Sequence, residues 1–218
     1  MPRIVDVLLS LLSLLVLLPL FIPIVVILLL TGEHKVFYLQ TRVGYKNKDF
    51  KIIKFATMLS NSANMGSGSL TLKNDPRVLP FGSFLRKTKI NELPQILNII
   101  IGDLSIVGPR PQMQVDFEKY SDDVQGKIYN VRPGLTGIGS IVFRDEESLI
   151  SLAAENENPH EFYKRIIAPY KGELEIWYQS HRSLLLDFQL IFMTAWAIVF
   201  PETRLYEKWF NDLPKRNF

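Results

Sequence analysis

Cysteine is absent from the 218 residues, which excludes a disulfide framework and any thiolate metal site and is compatible with the cytoplasm. Histidine is scarce: His34, His160 and His181 stand apart in the sequence and form no H-E-x-x-H pair. A Walker loop, a G-x-G-x-x-G turn after a strand and a nucleophile elbow are missing too, so the common nucleotide-fold and hydrolase signatures do not apply. No low-complexity tract or internal repeat occurs, and an ordinary apolar content argues against disorder. Aromatic residues are not interleaved with the basic ones as in a single-strand groove, so nucleic acid is not an expected partner.

What is present is unevenly spread. From Val7 to Leu30 no residue carries a charge, and Leu, Ile and Val dominate. From Thr31 to Lys89 eleven Lys and Arg face three Asp and Glu, an excess of +8. An oily end beside a basic shoulder excludes a freely soluble protein. Leu18-Pro19-Leu20-Phe21 offers no small-residue cleavage site, which argues against a secretory signal. Two readings remain level. Twenty-four apolar residues at about 1.5 Å each exceed a hydrocarbon core of about 30 Å and suit a spanning helix. Pro19 and Pro23 equally suit a re-entrant hairpin of two arms, each reaching about 18 Å. The basic excess places residues 31–218 on the cytoplasmic side. Asp6, at the edge of the run, is expected to face a water-accessible partner or to pair with Arg3.

Beyond the anchor, Lys35–Gln40 and Phe50–Phe55 read as two strands joined by a Gly/Asn/Lys turn. Asn61–Ser69 reads as a mobile loop, and Asn74–Pro76 as a turn. A helix is expected from Glu92 to Ile101, capped by Asn91 and ended by Gly102. Pro133-Gly134 suits a type II turn, Ile138–Phe143 a strand, and Glu161–Ile167 and Gly172–Arg182 helices. Ser183–Phe200 is apolar except for Asp187 and Gln189 and is followed by Tyr206, Trp209 and Phe210 among charges. That mixture fits an interfacial helix and, equally, a buried helix with an aromatic cap.

The stretch Lys87–Pro111, KTKINELPQILNIIIGDLSIVGPRP, is the informative one. A helix start favours phosphate, and a divalent metal on Glu92 would bridge phosphate oxygens. Arg86, Lys87 and Lys89 approach from one side. Arg110, clamped between Pro109 and Pro111, presents its guanidinium with little backbone freedom for a bidentate phosphate contact. In Asp145-Glu146-Glu147 a first-turn helix charge pattern outweighs a second metal site.

The proline-bearing apolar segment, KIIKFATM at Lys51–Met58, NELPQILN at Asn91–Asn98, GDLSIVGPRP at Gly102–Pro111 and VRPGLTG at Val131–Gly137 resemble the bacterial sugar transferases, the small monotopic phosphoglycosyl transferases. The resemblance covers nearly the whole chain, and the pairing of GPRP with PGxTG is its specific part. It implies transfer of a phosphosugar from a UDP-sugar to undecaprenyl phosphate, with UMP as by-product and Mg²⁺ as cofactor, in exopolysaccharide or other glycoconjugate assembly. It implies an α/β fold: a re-entrant membrane hairpin over residues 1–31, broken at Leu18-Pro19, a small catalytic part over 32–182 and an interfacial helix with tail over 183–218. The place would be the cytoplasmic leaflet of a bacterial inner membrane, and apolar interfacial helices also suit a homodimer. Position by position, Glu92 matches the metal-binding acid, Arg86 a basic active-site residue and Arg110 the clamped arginine. Lys54, Arg132 and Arg144 fall at positions suited to phosphate or nucleotide. One match fails: Asn91 stands where the family keeps a nucleophilic aspartate, and an amide has no anionic oxygen with which to attack phosphorus. The resemblance then leaves three readings: direct attack by the lipid phosphate; another carboxylate, Glu92, Asp103 or Glu175, as nucleophile; or a disabled homologue acting as a lipid- and nucleotide-binding scaffold.

Overall fold

A computed structural model describes residues 1–65, 70–72 and 74–218. Helix α1 spans Arg3–Leu30, followed by strands β1 (Phe37–Val43) and β2 (Asp49–Phe55). Next come α2 (Pro80–Lys87), α3 (Gln95–Ile101), β3 (Ser105–Val107), α4 (Gln114–Phe117), α5 (Asp122–Lys127) and β4 (Gly134–Thr136). The remainder is helical: α6 (Ile138–Val142), α7 (Glu146–Ala153), α8 (Pro159–Phe162), α9 (Ala168–His181), α10 (Leu184–Val199) and α11 (Leu205–Trp209). The strands form two separate pairs. β1 and β2 run antiparallel, with Tyr38 opposite Lys54; β3 and β4 run parallel, with Val107 beside Thr136. The fold is therefore mixed α/β with small sheets and one long apolar helix.

Helix α1 keeps its helical backbone through Pro19 and Pro23, where two separate arms were expected. Its middle is exposed, and its buried residues lie toward the two ends, Asp6 and Ser10 at one and Ile24 and Leu28 at the other. At the first end the Arg3 guanidinium donates to the carbonyls of Ile99 and Ile100, closing the open C-terminus of α3. Asp6 is buried, and its carboxylate accepts from the Ser105 hydroxyl at 2.9 and 3.0 Å and from the Ile106 N–H at 2.9 Å. It thus meets neither a water-accessible partner nor Arg3, because the edge of β3 offers it three donor contacts. At the other end Ile24 and Leu28 pack in a cluster with Phe55 and Leu85, and Phe81 and Ile90 close its rim.

Several sequence expectations shift. The first strand runs on to Val43, and the link to β2 is a 3-10 turn at Tyr45–Asn47 with Lys46 and Asn47 at positive φ. Ile138–Phe143 is not a strand: Ile138–Val142 forms α6, whose Ile138, Gly139, Ile141 and Val142 are buried. A short apolar run fits a buried helix as well as a buried strand, and packing on α9 and α10 decides. Gly134 has no positive φ, so a type II turn at Pro133-Gly134 does not form; Gly134 opens β4 instead. The expected helices at Glu161–Ile167 and Gly172–Arg182 are found, the former as α8 continuing into a π turn at Tyr163–Ile167 and the latter inside α9. In the expected loop Asn61–Ser69, Ser62–Asn64 forms a 3-10 turn, and residues 66–69 lie outside the described residues. Arg77 is buried and gathers this segment, donating to Asp75 and to the carbonyls of Ser62, Met65 and Leu70.

Helix α10 serves two surroundings. Leu186, Leu190, Met193 and Ala197, at helical spacing, sit in the core. Phe188, Phe192, Trp196 and Phe200 stay outside, with Phe192 stacked on Trp196 and on Trp209 of α11.

Candidate active site

The two glycine-bearing motifs meet backbone to backbone. The Gly108 N–H donates to the Thr136 carbonyl at 2.9 Å, and the Gly134 N–H to the Pro109 carbonyl at 2.8 Å. A Cβ on Gly134 would lie 2.1 Å from the Gly108 nitrogen, and one on Gly137 would lie 2.2 Å from the Gly108 oxygen. Only hydrogen fits between these chains. This contact fixes where β3 delivers Pro109-Arg110-Pro111. Tyr129 fastens the turn from the side, its hydroxyl donating to the Arg110 carbonyl and accepting from the Gln112 N–H, both at 2.9 Å.

Opposite the turn, Lys89 adopts a left-handed conformation at φ 60°, and the chain passes through a 3-10 turn, Ile90–Glu92, before α3. Pro94, not Asn91, stands at the start of α3: Asn91 lies inside the preceding turn and caps nothing. Its side chain is buried, and its Oδ1 has no hydrogen-bond partner among the described residues. Asn98 fastens α3 to the hairpin. Its amide donates to the Lys51 carbonyl at 2.8 Å and its Oδ1 accepts from the Ile53 N–H at 2.9 Å. That junction sets Lys54, next along β2, against Glu92.

Arg110 Nη2 lies 3.0 Å from Glu92 Oε1, and Lys54 Nζ lies 3.6 Å from the same oxygen. Burial acts to raise the Glu92 carboxyl, but Arg110, Lys54 and Lys89 outweigh it and hold the group well below the usual carboxylate range. Glu92 is therefore ionised at any physiological pH. Burial pulls Lys54 down to about 7, with Arg42, Arg110 and Arg86 acting in the same direction against Glu92. Burial also lowers Lys89, helped by Arg110, Arg144 and Arg86. The Arg86 guanidinium rests 3.7 Å from the Met58 sulfur.

Not every expected residue joins. Arg132 donates to the Gly102 carbonyl at 3.0 Å and lies over the Tyr45 ring. It thus sits at the far end of α3, ten residues and about 15 Å of helix from Glu92. Asp103 is at that far end too, accepting from Asn98. Glu175 is fully buried and accepts from the Arg110 backbone N–H at 3.4 Å. Of the acidic run, Glu146 and Glu147 lie in the first turn of α7, where Glu146 meets Lys171 and the preceding Asp145 meets Arg216. Among the described residues no three His, Asp or Glu side chains gather as a metal cage. Arg42, Tyr129 and Asn98 were not singled out by sequence. For Asn98 one signal existed, an amide inside the apolar run Ile96–Ile101.

A cluster of cations around one ionised carboxylate, beside one long apolar helix, is the arrangement of a membrane-associated protein with a site suited to anions. The family described as bacterial sugar transferase matches residues 1–201, and the chain belongs to that family. The exopolysaccharide production protein ExoY of Sinorhizobium fredii is 33% identical over 207 residues, covering 88% of this chain and 83% of that protein. The UDP-N-acetylgalactosamine-undecaprenyl-phosphate N-acetylgalactosaminephosphotransferase of Aeromonas hydrophila is 32% identical over 183 residues, 83% of this chain and 39% of that protein. The UDP-glucose:undecaprenyl-phosphate glucose-1-phosphate transferase of Escherichia coli is 31% identical over 192 residues, 87% and 38% respectively. The chain thus spans most of the first relative and less than two fifths of the other two.

Proposed function

We propose that this chain transfers a phosphosugar from a UDP-sugar to undecaprenyl phosphate at the cytoplasmic leaflet of a bacterial inner membrane. The observation that carries the reading is Glu92, held ionised by Arg110, Lys54 and Lys89 in a site with cationic surplus. In the reaction an oxygen of the lipid phosphate forms a bond to the sugar-bearing phosphorus. The bond from that phosphorus to the bridging oxygen breaks, and UMP leaves with the electron pair. Arg110 and Lys54 meet the negative charge that grows on the equatorial and leaving oxygens.

Direct attack by the acceptor fits this chain. Asn91 carries no anionic oxygen, Asp103 lies at the far end of α3, Glu175 lies behind the Arg110 backbone, and Glu92 is held in ion pairs by Arg110 and Lys54. Mg²⁺ fits as a cofactor: Glu92 and the unpartnered Asn91 Oδ1 are hard oxygen donors, and Mg²⁺ commonly completes its shell with water and substrate phosphate. When bound it would neutralise diphosphate charge.

The membrane part is read as a re-entrant hairpin. Arg3 reaches Ile99 and Ile100, while Ile24 and Leu28 share a cluster with Ile90. Ile90 and Ile100 are separated by about 15 Å if helical, whereas Arg3 and Ile24 on a straight helix are separated by about 31 Å. Pro19 and Pro23, inside α1, mark where such a bend would fall. A cavity of about 260 Å³, lined by Leu28, Phe37, Tyr38 and Phe81, ends at Met58 beside Arg86 and suits the first isoprenoid units. The outer aromatic face of α10 and α11 lies on the interface; a homodimer would compete for the same face.

The test is UMP release from purified protein with undecaprenyl phosphate, Mg²⁺ and a panel of UDP-sugars. Release with at least one donor is expected; none with any donor returns the chain to the scaffold reading.

A further inference from the structure

Behind the Arg110 turn lies a carboxyl group that the transfer reaction does not use. Glu175, on α9, is 1% exposed, and its Oε1 accepts from the Arg110 backbone N–H. Its Oε2 is buried without a hydrogen-bond partner among the described residues. The cation one turn earlier on the same helix, Lys171, is committed to Glu146 at 2.7 Å, and the Arg110 guanidinium is committed to Glu92. The phenols of Tyr120, Tyr129 and Tyr178, which feel the Glu175 charge, are buried and pushed up by that burial, so they stay neutral. Burial lifts the Glu175 carboxyl to about 7.

A buried carboxyl with one long hydrogen bond, no direct ion pair and an orphan oxygen costs the fold stability. The surrounding chain nevertheless makes room for it. Gly139 of α6 faces Glu175 so closely that a Cβ there would lie 2.3 Å from Oε1. We propose that Glu175 is a positioning residue: by accepting from the backbone N–H of Arg110 it sets the level of the Pro109–Pro111 turn, and so the reach of the guanidinium towards Glu92 and the substrate phosphates. Tyr129 holds the carbonyl of the same residue, so the arginine backbone is gripped on both sides. Side chains that break a stability rule commonly do so in support of a site.

The inference rests on the phosphosugar-transfer reading, and three variants in the full-length, detergent-solubilised protein test it. Glu175→Leu removes the acceptor at similar volume; kcat/KM for the donor should fall at least tenfold, with the thermal unfolding midpoint equal to the parent's or higher. Glu175→Gln keeps an acceptor oxygen and should recover activity to within threefold of the parent. Gly139→Ala pushes on Oε1 and should lower kcat/KM in the same direction as Glu175→Leu. Calorimetric binding of UDP is the second readout and should weaken at least fivefold in Glu175→Leu. Full activity in Glu175→Leu, an equal defect in Glu175→Gln and Glu175→Leu, or activity lost only in step with the unfolding midpoint overturns the positioning role. A parent that binds UDP but releases no UMP defeats the transfer reading instead, and the UDP affinities of parent and variant then decide the positioning role alone.

Discussion

Two carboxyl groups flank Arg110, Glu92 half-buried and Glu175 fully buried, and the chain treats them in opposite ways. Glu92, in front, is driven far below its ordinary value; Glu175, behind, is lifted to about 7. Burial pushes both upward. What differs is which part of the arginine each one meets. Glu92 meets the guanidinium together with Lys54 and Lys89, whereas Glu175 meets only a backbone N–H. Charge state is thus set less by depth than by which end of a neighbour points inward. The front carries an ionised carboxylate among cations, and the rear a carboxyl that is part protonated at neutral pH.

Removing the front charge gives the largest expected effect. Glu92→Gln leaves Arg110 and Lys54 uncompensated, and UMP release should fall by roughly 100-fold to 1000-fold; a variant within threefold of the parent would break the assignment of Glu92 to the centre.

The rear carboxyl should report itself through pH. Its folded value lies above the ordinary 4.5, so its contribution to stability is fully present below about 4.5 and is lost as pH rises through about 7. The span corresponds to roughly 3 kcal/mol. Urea unfolding of the solubilised protein between pH 5 and 8 should show this decline, and Glu175→Gln should flatten it; an unchanged slope would mean that another group titrates. Glu92 contributes in the other sense, its stabilisation present above its ordinary range and lost only in strong acid.

Smaller effects test the frame that holds the front together. Asn98→Ala strands the Ile53 N–H and the Lys51 carbonyl and should cost about 2 kcal/mol in the same unfolding assay. Arg132→Ala should change UMP release less than twofold, since its guanidinium caps α3 at the end away from Glu92. A tenfold loss there would place nucleotide contacts beyond the site described.

Much of the front was legible in the chain. Glu92 and the proline-clamped Arg110 lie in one 25-residue stretch, so their chemistry shows in local order. The rear was not, because its parts are distant: Gly108 meets Gly134 and Gly137, Tyr129 meets Arg110, and Gly139 meets Glu175 only after folding. Sequence order offers Glu175 only as one possible nucleophile, because the Arg110 backbone it stands behind is 65 positions away. Ile138–Phe143 misled for a related reason, since five or six apolar residues fit either periodicity and their neighbours decide. Arg132 was placed at the site by motif position, whereas the fold sends it to the other end of α3. The anchor was plain from composition, yet its two buried ends, Asp6 on β3 and Leu28 on Phe55 and Leu85, depend on residues about 30 to 100 positions away.

Transfer in front of Arg110 is proposed to proceed without a protein nucleophile, since Asn91, beside Glu92, has no anionic oxygen with which to attack phosphorus. Rapid-quench measurement of UMP from enzyme and UDP-sugar, with and without undecaprenyl phosphate, tests it most directly. The account predicts no UMP until the acceptor is added, followed by steady turnover. A burst of UMP equal to the enzyme concentration in the acceptor's absence, with a phosphosugar left on the protein, would contradict it.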